Sequence, residues 1–177
     1  ISDAMAGTSK NSASHATSAD GAVVVLQNNE KQQSLSAKVE IPAGQKLTIM
    51  LSDSDMKVVR ARAFNESLFD IKGTLVISGG DLTKLTIGEE STNTANKQVL
   101  LSVAGGTLEI NNNVLFTAIV NTVGGYGSVI SAKNSTIILD NVTFENCFNT
   151  SRTVEQLYGG AIYAENSTTT INYANFD

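Results

Sequence analysis

The 177-residue chain has no tryptophan, one cysteine, one proline and one histidine, and charged residues make up only 16% of it. Each scarcity closes a route. Cys147 has no partner for an intramolecular disulfide and nothing at zinc-ligand spacing beside it, so it reads as a small buried hydrophobe. His15 has no neighbouring acid, cysteine or second histidine and receives no catalytic or ligand role. The net charge is -5 with no basic stripe, which excludes nucleic acid as a partner. No run approaches the roughly 20 apolar residues that span a bilayer, so no transmembrane segment is predicted. Ile1-Ser-Asp-Ala carries neither an initiator methionine nor a signal-peptide pattern, and the expectation is a piece of a longer protein. Helix signals are missing too: apolar residues at 3.6 spacing are not sustained over any run of ten or more.

What the chain does have is repetition. Leu68–Ile77, Leu100–Ile110, Val129–Leu139 and Ala161–Ile171 each read as strand, small polar turn, strand. Aligning Phe69, Leu101, Ile130 and Ile162 gives offsets of 32, 29 and 32 residues, and self-similarity at such a period is the signature of a solenoid. Side chains alternate across a strand, so the first strand points Phe69 and Ile71, Leu101 and Val103, Ile130 and Ala132, Ile162 and Ala164 inward. The second points Leu75 and Ile77, Leu108 and Ile110, Ile137 and Leu139, Thr169 and Ile171 inward. A third set follows in Val114 and Phe116, Val142 and Phe144, Ala174 and Phe176, so phenylalanine recurs at one phase of the coil. The fold class is therefore all-β, a parallel β-helix of about 30 residues per coil. Right-handedness is expected from the crossover preference of parallel strands.

The domain reading is a flexible or capping segment over residues 1–20, capping strands with a first coil over 21–63, and the β-helix over 64–177, continuing beyond the fragment. Within 21–63, Leu35–Ile41 and Met56–Ala63 are each read as one alternating strand. The corner between the first two strands of a coil carries Gly73, Gly105-Gly106, Asn134-Ser135 and Asn166-Ser167. Asn111, Asp140 and Asn172 occupy the next corner, where asparagine's tolerance of the left-handed region suits it. Longer excursions leave the coil at 88–97, 120–127 and 146–160, and loops are where a solenoid carries function.

Tyr158-Gly-Gly-Ala-Ile-Tyr163, with Val142-Thr-Phe-Glu-Asn146 before it and Ile171-Asn-Tyr-Ala-Asn-Phe176 after, resembles the Gly-Gly-Ala-Ile and Phe-x-x-Asn repeats of polymorphic outer membrane proteins and adhesin-like surface proteins. Val39–Ile49 is similar to the opening coil of pectin-lyase-like surface proteins. The likeness spans about residues 39–177. Only one coil keeps the full Gly-Gly-Ala-Ile; the others have Gly127-Ser-Val-Ile130 and Gln98-Val-Leu-Leu101. The resemblance implies an extracellular or cell-surface adhesin or stalk with no cofactor, whose partner is a surface receptor or glycan.

Chemistry is sparse. The outward column Asp70, Ser102, Ser131, Tyr163 holds one acid, and Lys133 beside Glu165 on adjacent coils reads as a surface salt bridge of small worth. Asp53-Ser-Asp55 lacks the glycine and distal glutamate of a calcium loop and reads as a solvated turn. The chain is read as non-enzymatic, the alternatives being a polysaccharide-binding or polysaccharide-degrading β-helix and a filament subunit that self-associates through open coil edges. Tyr126, Tyr158 and Tyr163 are the candidate glycan contacts, since aromatic faces can carry a sugar ring. Asn65, Asn134, Asn141, Asn149 and Asn166 head Asn-x-Ser/Thr sequons, relevant only if a eukaryote secretes the chain.

Overall fold

The computed structural model describes residues 13–18, of which the backbone alone, and 21–26, 32–52, 54–90, 97–150 and 157–177. All the regular elements among them are β-strands, stacked as a parallel solenoid. Alternating short apolar runs separated by glycine, asparagine and serine corners give the chain no other way to bury its apolar side chains than to wind and stack.

The first five coils each contribute a strand to three faces, and the last contributes to two. The first face stacks β2 (Gly21–Leu26), β5 (Lys46–Leu51), β8 (Thr74–Ser78), β11 (Thr107–Asn111), and the first halves of β15 (Thr136–Glu145) and β18 (Thr168–Phe176). On the second face, β3 (Gln32–Leu35), β6 (Met56–Arg60), β9 (Leu85–Glu89) and β12 (Val114–Thr117) lead to the second halves of β15 and β18. The third is β4 (Val39–Ile41), β7 (Phe69–Ile71), β10 (Leu101–Ala104), β14 (Ile130–Lys133) and β17 (Ile162–Glu165). A short pair, β13 (Val120–Asn121) with β16 (Phe148–Asn149), follows the second face in two coils. The partners Ala22, Leu47, Leu75, Leu108, Ile137 and Thr169 give coils of 25, 28, 33, 29 and 32 residues.

The predicted columns are the observed ones. Phe69, Leu101, Ile130 and Ile162 are register partners in sequence, as are Leu75, Leu108, Ile137 and Thr169. Phe116, Phe144 and Phe176 form a stacked ladder with centroids 5.3 and 4.9 Å apart, close to the strand spacing of about 4.8 Å that sets it. One apolar core runs from Val24 to Ala161.

Several expectations need correcting. Regular coiling already begins at Gly21, because β2 and β5 pair in the same parallel register as all later coils. Leu35–Ile41 is two strands, β3 and β4, bent apart at Ser36–Lys38, and β6 stops at Arg60. Within the segment read as flexible or capping, β1 (Ala13–Ser18) pairs antiparallel with β2, as the capping alternative expects. β1 is thereby the outermost strand of the first face, as β3 and β4 are of the second and third. Residues 1–12 and 19–20, Asp53, and the side chain of His15 lie outside the described residues. The excursions are shorter than expected: Gly88 and Glu89 belong to β9, Val120 and Asn121 to β13, Phe148 and Asn149 to β16. At the second corner the left-handed residues are Asn112, Asn113 and Asn141, not Asn111, Asp140 or Asn172.

The first corner is alike in four coils, the one at Lys72-Gly73 being the exception. Gly44, Gly105, Asn134 and Asn166 all adopt positive φ there. One residue on, the Ser135 hydroxyl accepts from Gly105 N at 3.0 Å and donates to Lys133 O at 2.7 Å; Ser167 Oγ in turn accepts from Ser135 N at 3.1 Å. These serines satisfy corner backbone groups that the turn takes out of the strand ladder.

Candidate functional site

The dipeptide Tyr-Gly occurs at the same phase of two consecutive coils, as Tyr126-Gly127 and Tyr158-Gly159, and the two tyrosines form a parallel β-bridge. Both glycines sit at positive φ, and a Cβ on either would lie 2.3 Å from Ile130 O or 2.1 Å from Ile162 O. Only glycine can turn the chain from the loop into the third face there, and the turn holds each tyrosine at the rim. Ahead of Tyr126 the loop is fastened by Asn121, which is 1% exposed. Its Oδ1 accepts from Val123 N and Gly124 N at 3.2 and 3.0 Å, and its Nδ2 donates to Gly127 O at 2.7 Å.

The structure brings all three predicted tyrosines together. Tyr126 and Tyr158 stack with centroids 5.7 Å apart and planes 11° apart, and Tyr163, outward on β17, leans against both at 4.6 and 6.0 Å. Tyr126 and Tyr158 keep 47% and 43% of their surface in water. Beside them the expected Lys133–Glu165 bridge forms at 3.1 Å, and Tyr163 Oη donates to Glu165 Oε2 at 3.1 Å. The Lys133 ammonium, and then the Tyr163 hydroxyl, hold the Glu165 carboxyl below its ordinary pKa, while loss of hydration and the bond to Glu165 push the Tyr163 phenol up. Ser131 is the register partner of Tyr163. No protein-family model, no curated protein and no solved structure matches the chain.

Of the sequons, Asn65, Asn134, Asn141 and Asn166 are exposed, whereas the amide nitrogen of Asn149 is enclosed. Asn134 and Asn166 occupy the same corner of neighbouring coils, about 4.8 Å apart along the stack. Cys147 is half-buried against the core, its thiol near Phe116 O and Glu145 O at 3.5 and 3.3 Å. Among the described residues, no group of three or more His, Cys, Asp or Glu could hold a metal ion.

Two features escaped the sequence reading. Glu40 pairs in register with Asp70 on the third face, extending that outward column to Glu40, Asp70, Ser102, Ser131, Tyr163. Its two carboxylates line a depression with Pro42 and Lys72. The second feature is a buried ionic cluster. Arg60 grips the Glu89 carboxylate through Nε and Nη2 and donates Nη1 to Glu66 O at 3.0 Å and Gln98 O at 2.8 Å. Lys97 donates to Ala61 O, Arg62 O and Phe64 O at 3.3, 3.1 and 2.6 Å and lies 3.9 Å from Glu89. Burial pulls the Lys97 ammonium below its usual pKa. The signal was present: continuing the inward phase of Met56 and Val58 to Arg60, and of Leu85 and Ile87 to Glu89, aims both charges inward. With its carbonyls met by side chains, this cluster reads as a pin for the loops at 61–66 and 97–98.

Proposed function

We propose that the chain is a non-enzymatic extracellular or cell-surface protein, of the adhesin or stalk kind, that presents the Tyr126–Tyr158–Tyr163 cluster to a glycan on a surface receptor. The observation that carries this reading is the convergence of three partly exposed tyrosines on the outer face of a rigid stack. Tyrosine supplies a large, stiff, amphipathic contact that loses little conformational entropy on binding. The repeat supports it as well, since a solenoid holds outward groups at fixed spacing along its length. The test is a glycan array on the full chain and on Tyr158→Ala. A set of glycans lost in the variant supports the reading, and an array without hits removes it.

A second reading, a polysaccharide-degrading β-helix, draws on Glu40 and Asp70, which the strand spacing puts about as close as the paired carboxylates of a retaining glycosidase. Release of reducing ends by the wild type but not by Glu40→Gln or Asp70→Asn would put that reading ahead.

A further inference from the structure

This inference rests on the glycan reading and sharpens it. We infer that the tyrosine cluster selects an uncharged pyranose, lying against the outside of the cluster and donating two of its hydroxyl groups to the Glu165 carboxylate. Three observations carry it. First, the rings touch one another: centroids 4.6 to 6.0 Å apart leave no gap between faces in which a quaternary ammonium could be enclosed. A ligand must therefore lie on the cluster's outer surface, where a sugar's C–H face can meet the partly exposed rings.

Second, the charges of the site cancel. Lys133 and Glu165 are bridged at 3.1 Å, each the other's counter-charge. An acidic sugar would have to compete with Glu165 for Lys133 and would meet the Glu165 carboxylate beside it. A neutral sugar faces neither cost.

Third, the acceptor capacity is unspent. A carboxylate offers about four lone-pair sites; Glu165 uses one towards Lys133 and one towards Tyr163 Oη. About two remain, on a group that is partly exposed and fixed by both partners. Adjacent hydroxyls of a pyranose are suited to fill them, and bonds to an ionised acceptor are the strong kind. Ser131, the register neighbour of Tyr163, adds a neutral hydroxyl.

The experiment is saturation-transfer NMR and titration calorimetry of the full chain with methyl glycosides of galactose, mannose and glucose, and with methyl glucuronide and sialyllactose, at low and high salt. The expected result is binding of at least one neutral glycoside, little changed by salt and weakened roughly tenfold or more by Glu165→Gln, the loss of a charge-assisted hydrogen bond. Because Glu165 is on the surface, Glu165→Gln keeps the wild-type unfolding midpoint, so the loss is one of contact. Preferential binding of the acidic sugars that collapses with salt would overturn the inference while leaving the glycan reading standing. Neutral binding untouched by Glu165→Gln would also overturn it. Failure of every saccharide to bind would remove both.

Discussion

Arg60 with Glu89 and Lys133 with Glu165 are the same construction, opposite charges in direct register on parallel strands of adjacent coils. They differ in surroundings. The first pair keeps side-chain exposures of 0% and 4%, the second 60% and 39%. Burial converts one arrangement into an internal pin: Arg60 is bonded to a carboxylate and two carbonyls, Lys97 to three carbonyls. The exposed pair has hydrogen-bonding capacity left and stands beside aromatic rings. In a repeat whose coils are built alike, which side of the strand a charge falls on decides whether it is locked into the fold or faces solvent.

The sharpest way to break this comparison is to remove the acid from each pair. Glu89→Ala leaves two cations buried without their counter-charge and is expected to cost about 3–5 kcal/mol. Glu165→Ala is expected to leave the urea unfolding midpoint where it was. Equal losses in the two variants would mean that burial is not what separates the pairs.

The same contrast runs through the phenylalanine ladder. Phe144 is 1% exposed between two rings, while Phe176, one coil on, is 54% exposed. Phe144→Ala opens a cavity in the stack and is expected to cost about 3–5 kcal/mol. For Phe176→Ala about 1 kcal/mol is expected, because half of that side chain is already in water. Denaturant titration of both decides it, and a large loss at Phe176 would mean that the terminal coil is covered in solution.

How much of this was legible follows from what each feature depends on. The columns at Phe69, Leu75 and Phe116 could be read because strand alternation and coil period are both written in the residue order. The tyrosines could be placed in one neighbourhood for the same reason, since Tyr126 and Tyr158 precede equivalent strands. Their mutual contact could not, because it depends on side-chain rotamers. Arg60 was missed because only the apolar residues of the strand read over Met56–Ala63 were taken as inward, and Glu89 because it was assigned to the excursion at 88–97, although an inward charge obeys the period as well as an inward leucine does. Glu40 lies 30 residues before its partner Asp70, within the period of the later coils, and was missed because Leu35–Ile41 was read as one capping strand and was never aligned with the repeat. Left-handed corners landed one residue off at Asn112 and Asn141, as expected when turn propensity is similar for neighbouring asparagines.

Glycines around the site provide a finer cut. Gly159→Ala places a Cβ 2.1 Å from Ile162 O at a positive φ, whereas a Cβ at Gly160 finds nothing nearer than Cys147 O at 3.8 Å. The first is expected to cost about 1–3 kcal/mol and to shift Tyr158, the second to be close to neutral. Thermal unfolding of the two variants, with Tyr158 fluorescence or NMR shifts as the local probe, checks both halves of the expectation.

The smallest effect lies at Cys147, which separates the core side of the last coils from their surface. Burial pushes its thiol up to about 11, from an ordinary value of 9.0. Between those values the unfolded chain ionises while the folded one keeps its proton, so stability is unaffected below pH 8 and declines as pH rises from about 9 towards 11. At pH 8 only about a thousandth of the native thiol is ionised, and alkylation by iodoacetamide is expected to be far slower than in urea. Cys147→Ala should lessen the alkaline decline, leaving only what other groups contribute. If native alkylation instead matches the urea rate, the last coils open readily, and the rigid platform assumed for the neighbouring tyrosines is lost with them.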